Sequence, residues 1–234
     1  VFSNNSINSK NLNTIKIMHE VTIPGPEGRI EGRYNKGPNN NPPLVILLHP
    51  HPAHGGNMNN KVIYNCFKTF TSIGFSVLRF NYRGVGKSEG EYSGEEGIGE
   101  MTDSACALDW LLLNNAESTK VWVVGFSFGA FIALNLLMRR PEIHNFIAIS
   151  PPADKYDFSF LAPCPVSGMI MQGDSDDIVN ETDVALFANK LDSQRSISIK
   201  YSKVKGADHF FTDKLDIVNN NIKKYVSKTL ISNI

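Results

Sequence analysis

From residue 19 onward the chain repeats one alternation, a short apolar run followed by a stretch with helical spacing, and few architectures tolerate that pattern. Leu44-Val-Ile-Leu-Leu48 has no polar position, as a strand covered on both faces requires. Runs at 76–80, 121–125, 146–150, 166–172 and 197–204 read as further strands. Two more, 19–23 and 29–34, flank a Pro-Gly-Pro turn. Helices are predicted over 61–73, 100–114, 128–139, 181–191 and 213–231. The last carries Leu215, Val218, Ile222, Val226 and Leu230 at a period near that of an α-helix. The expected fold class is α/β, a mainly parallel twisted sheet with helices on both faces. In such sheets, chemistry gathers in the loops leaving the carboxyl ends of the strands.

Composition removes several functional classes. The 234 residues hold 23 Lys+Arg against 23 Asp+Glu, so neither nucleic acid nor an anionic membrane surface is an expected partner. No apolar run approaches the ~20 residues of a membrane-spanning helix. Three cysteines are too few, and odd in number, for a disulfide framework. Cys66 and Cys106 fall on apolar helical stretches as core thiols, and nothing marks Cys164 as activated. Residues 1–18 are polar and are expected to be a tail, leaving 19–234 as one domain with a cytoplasmic location.

The most specific motif follows the 121–125 strand: Gly125-Phe126-Ser127-Phe128-Gly129, then an apolar helix. This is G-x-S-x-G in a strand–turn–helix setting, which presents a serine hydroxyl on a tight turn. Side chains at either glycine would meet neighbouring backbone. The helix that follows aims free N–H groups at a developing oxyanion. Ser127 is therefore the candidate nucleophile, and it needs a base and an orienting acid. Acid candidates Asp174, Asp176 and Asp177 follow the strand ending at Gln172. The base candidate is His209, in Gly206-Ala-Asp-His-Phe-Phe211 after the last strand. Chain order is then Ser, Asp, His, as in G-x-S-x-G enzymes.

With these residues the sequence resembles the α/β-hydrolase superfamily, and within it a compact branch of serine hydrolases related to dienelactone hydrolases. Pro24-Gly25-Pro26, His49-Pro50-His51-Pro52, Gly55-Gly56-Asn57, Arg79-Phe-Asn-Tyr-Arg-Gly84, Asp157-Phe-Ser-Phe-Leu-Ala-Pro163 and Asp208-His209-Phe210-Phe211 carry the likeness. The resemblance implies an α/β-hydrolase fold and selects Asp176 as the acid. It also implies a second oxyanion donor in the loop after Leu48. Pro50 and Pro52 lack an amide hydrogen, so the donor expected there is the His51 backbone N–H, paired with that of Phe128. The short connection before Val166 leaves no room for a cap domain. No cofactor is implied.

The expected activity is cleavage of a carboxylic ester or thioester of a small substrate through an acyl-serine intermediate, with a homodimer as the oligomeric expectation. Two alternatives stand beside it. One is a zinc-dependent hydrolase, because His49, His51 and His54 have the H-x-H-x-x-H spacing of metallo-β-lactamase-like enzymes, although Ala53 stands where that family carries Asp. The other is a non-catalytic binding protein on the same fold. Arg83 is expected to tie loops to the sheet. The acidic run from Glu89 to Asp103 is expected to be a solvated loop leading to a helix N-terminus.

Overall fold

Alternate side chains of the strand Leu44–Leu48 enter two different cores: Leu44, Ile46 and Leu48 one, Val45 and Leu47 the other. All five are fully buried, each contributing about 1.5–3 kcal/mol of apolar burial. The computed structural model describes residues 18–232 and shows why both faces are covered. Its strands are β1 (His19–Gly25), β2 (Gly28–Asn35), β3 (Leu44–Leu48), β4 (Ser76–Phe80), β5 (Val121–Phe126), β6 (Ile143–Ile149), β7 (Gly168–Gly173) and β8 (Ile199–Val204). They form one sheet in the order β1-β2-β4-β3-β5-β6-β7-β8. Pairing is antiparallel from β1 through β2 to β4, and parallel everywhere else.

Five helices follow: α1 (Lys61–Ser72), α2 (Ile98–Leu113), α3 (Phe128–Leu137), α4 (Glu181–Asp192) and α5 (Leu215–Ser232). Side chains of α2, α3 and α4 build the first core, and those of α1 and α5 the second. The α3 helix is apolar almost all round because it is buried almost all round. The fold class expected from the alternation is the one observed. Between β6 and β7, residues 150–167 form only a single 3-10 turn, Ser159–Leu161, so no cap covers the sheet there. No helix among the described residues is long and apolar enough to cross a membrane. The stretch expected to be a tail lies outside the described residues, Met18 excepted.

Boundaries move where polar residues interrupt the pattern. The β6 strand begins at Ile143, earlier than expected, because exposed His144 and buried Asn145 disguise its start. Asn145 is buried at no great cost, since its Oδ1 accepts from the Tyr225 hydroxyl at 3.1 Å. The last helix starts at Leu215, not 213, because Phe211 and Asp213 both take positive φ.

The acidic run divides: Glu89, Glu91, Glu95 and Glu96 are exposed in the loop leading to α2, as expected, whereas Glu100 and Asp103 on α2 itself are not. Asp103 is buried and accepts from the Arg83 backbone N–H (2.9 Å), Nε (3.0 Å) and Nη2 (2.7 Å). Glu100 is buried too, and accepts from the Ser93 amide and hydroxyl. Arg83 does tie its loop down as expected, but by a buried fork onto α2.

Candidate active site

The loop after β5 turns so sharply that Ser127 takes φ 55°, ψ −123°, a conformation rare for a residue with a side chain. Backbone hydrogen bonds hold it there. Its N–H donates to the Ile149 carbonyl (2.8 Å), and its own carbonyl accepts from Ala130 N–H (2.8 Å), starting α3. A Cβ on Gly129 would collide with the Leu48 and His49 carbonyl oxygens, and one on Gly125 with the Gly129 carbonyl. Both glycines are thus required by close backbone approach.

From this turn the Ser127 hydroxyl lies 3.1 Å from His209 Nε2, and His209 Nδ1 lies 2.8 Å from Asp176 Oδ2. The three predicted residues, far apart in sequence, come together at the carboxyl ends of β5, β7 and β8. The His209 side chain is buried against the Phe126 ring, with centroids 5.0 Å apart. The Asp176 carboxyl is also enclosed. Its Oδ1 accepts from the Ile178 and Val179 amides, both at 2.9 Å. Burial pushes this carboxyl upward, but the His209 contact and the two amides outweigh it and hold it below the usual carboxylate range. Of the other two acid candidates, Asp174 instead accepts from Gly206 N–H at 2.6 Å, bracing the His209 loop. Asp177 is exposed.

Phe128 opens α3 directly after Ser127, and His51 stands in the β3 loop just before the 3-10 turn Pro52–His54. Among the described residues neither amide donates to another protein group. The His51 ring packs 4.8 Å from that of Phe128.

The sequence pattern of the alpha/beta hydrolase fold matches residues 43–204. The chain belongs to that family. An uncharacterized protein of Rickettsia prowazekii is 51% identical over 213 residues, spanning 89% of each chain. A solved structure from Agrobacterium tumefaciens, described as a protein of unknown function, superposes with TM-score 0.87 at 46% identity, covering 92% of this chain and 97% of that one. Another, from Xanthomonas campestris and described as an a/b serine hydrolase without lid, gives TM-score 0.80 at 30% identity over 90% and 94% of the two chains.

In this alpha/beta hydrolase the three histidines of the β3 loop do not converge on a metal position. His49 is fully buried with both ring nitrogens engaged: Nδ1–H donates to the Pro50 carbonyl (2.7 Å), and Nε2 accepts from Tyr82 N–H (3.2 Å). Burial pushes its pKa down to about 3. His51 Nε2 faces Glu95 Oε2 and the Tyr92 hydroxyl, each at 3.0 Å. Among the described residues no three His, Cys, Asp or Glu side chains are arranged to hold a metal. The cysteines are no closer to chemistry: burial raises all three thiols, Cys66 to about 12.

Two residues around the candidate site carry no role in the sequence analysis. Gln172, the buried last-but-one residue of β7, donates from Nε2 to Asp176 Oδ2 at 2.8 Å and to the Val179 carbonyl at 3.2 Å. A glutamine inside an otherwise apolar strand was the available signal. Glu95 was hidden among five other acids, and nothing local marked it out.

Proposed function

We propose that this chain is a serine hydrolase that cleaves a carboxylic ester or thioester of a small substrate. The hydrogen-bonded line from Ser127 through His209 to Asp176 carries this reading. His209 Nε2 takes the hydroxyl proton as Ser127 Oγ bonds to the carbonyl carbon, and Asp176 holds Nδ1–H so that Nε2 is the free base. The tetrahedral oxyanion is held by the His51 and Phe128 backbone amides. On collapse the leaving alcohol or thiol receives the proton from His209. Water then attacks the acyl-serine by the same route in reverse, releasing the acid and restoring Ser127.

An aromatic run supports an apolar acyl group. The Phe128 and Phe131 rings lie 6.3 Å apart, and Phe131 stacks on Tyr156 at 4.2 Å. Beyond them a cavity of about 370 Å³ is lined by Tyr156, Phe158, Leu161 and Phe187. A single catalytic unit from residue 19 onward is part of this proposal.

Labelling with a fluorophosphonate probe tests it. Wild type is expected to be labelled and to turn over p-nitrophenyl esters, and Ser127→Ala to do neither. Labelling that persists in Ser127→Ala would remove the nucleophile assignment. Ester turnover abolished by a chelator and restored by zinc would move the chemistry to a metal.

A further inference from the structure

The segment between β4 and α2 folds back over the Phe128 ring. Gly97, at φ 63°, permits this approach: a Cβ there would stand 2.8 Å from the Phe128 ring and would also strike Ile132. That path brings Glu95 against the β3 loop and the connection after β6. Its Oε2 lies 3.0 Å from His51 Nε2 and 3.2 Å from the Tyr156 hydroxyl.

A carboxylate oxygen only accepts, so His51 Nε2–H and the Tyr156 O–H both donate to it. One oxygen thereby joins three segments: the loop after β3, the loop after β4 and the connection after β6. Burial differs sharply across the contact. The His51 side chain is 10% exposed and wedged between the His54 and Phe128 rings, whereas that of Glu95 is 73% exposed. A contact so open to water adds little to folding. Its geometric effect is larger, because the ring it holds belongs to the residue whose amide is assigned to the oxyanion under the proposed function. His51 Nε2 also holds the Glu95 carboxyl below its usual range, so the acceptor stays ionised.

We propose that Glu95 is a positioning residue, which sets the His51 amide for the oxyanion by fixing the His51 ring in place. This rests on the serine hydrolase reading and on its oxyanion assignment. A displaced donor weakens the bond to the transition-state oxygen far more than it changes binding of the neutral ester. The loss therefore falls on kcat and spares KM.

The test compares wild type, Glu95→Ala, Glu95→Gln and Ser127→Ala on p-nitrophenyl butyrate, together with the rate of fluorophosphonate labelling. Glu95→Ala is expected to lower kcat about ten-fold with KM within about two-fold, and to slow labelling in parallel. Glu95→Gln keeps an accepting oxygen and is expected to recover most of both rates. Thermal midpoints are expected to stay together across the Glu95 variants, as for other exposed pairs. Equal kcat in wild type and Glu95→Ala, with wild type active and Ser127→Ala dead, would overturn the Glu95 role alone. A Glu95→Ala loss that tracks a fallen thermal midpoint would overturn it as well. A wild type that is neither labelled nor active would overturn the hydrolase reading, and this one with it.

Discussion

Gln172 Nε2 and His209 Nδ1 converge on one oxygen of Asp176, both at 2.8 Å. The aspartate is therefore oriented from two sides, by a strand residue and by the imidazole it serves. Gln172→Leu removes the strand-side donor and leaves part of a buried carboxylate unpartnered. It is expected to destabilise the fold by about 1–3 kcal/mol and to lower ester kcat about ten-fold. Urea denaturation and steady-state kinetics check the two effects separately. An unchanged kcat would show that the backbone amides alone orient Asp176.

Gly129→Ala places a methyl group against two carbonyl oxygens that have nowhere to go, because both belong to the end of β3 and its loop. Overpacking against backbone rather than a flexible side chain is expected to cost about 3 kcal/mol or more. Chemical denaturation measures this. A variant as stable as wild type would mean that the turn relaxes freely.

His49 makes stability depend on acid. Its ordinary pKa is 6.5 and its folded value about 3, so between those values the unfolded chain binds the extra proton. This contribution is complete above about pH 6.5 and is lost as pH falls toward 3. By about pH 5 the loss amounts to roughly 2 kcal/mol. His49→Gln is expected to be less stable than wild type near neutrality yet to lose less on going from about pH 7.5 to about pH 5. Parallel pH dependence of the two urea midpoints would refute the assignment.

Breaking the Arg83–Asp103 fork exposes what the acidic run conceals. Arg83→Met leaves the buried Asp103 carboxylate without its guanidinium and is expected to cost about 3–5 kcal/mol. Arg83→Met combined with Asp103→Leu is expected to regain much of that loss, because no charge is then stranded. Thermal or urea unfolding of the single and double variants forms the cycle.

The fold was legible because β3 and β5 are buried on both faces and so leave continuous apolar runs. The serine was legible because its turn demands two glycines at fixed offsets. Strand starts such as Ile143 were not, since Tyr225, which satisfies Asn145, lies in the last helix. Asp176 could be separated from Asp174 and Asp177 only through resemblance. In space the three differ plainly, because one meets His209, one meets Gly206 and one meets water. Glu95 and Asp103 share one acidic stretch but have opposite fates, decided by His51 and Arg83 on other loops. Such pairings across the chain leave no local trace.

The contact between Gly129 and the β3 loop has a mechanical consequence. The elbow that carries Ser127 and the Leu48–His49 end of β3 touch backbone to backbone, with no side chain between them to act as a cushion. Thermal breathing of the sheet must carry both together, like two jaws machined from one block. On the proposed chemistry this fixes the start of the β3 loop against the elbow, and leaves only the part of that loop where Glu95 meets His51 to be held by side chains.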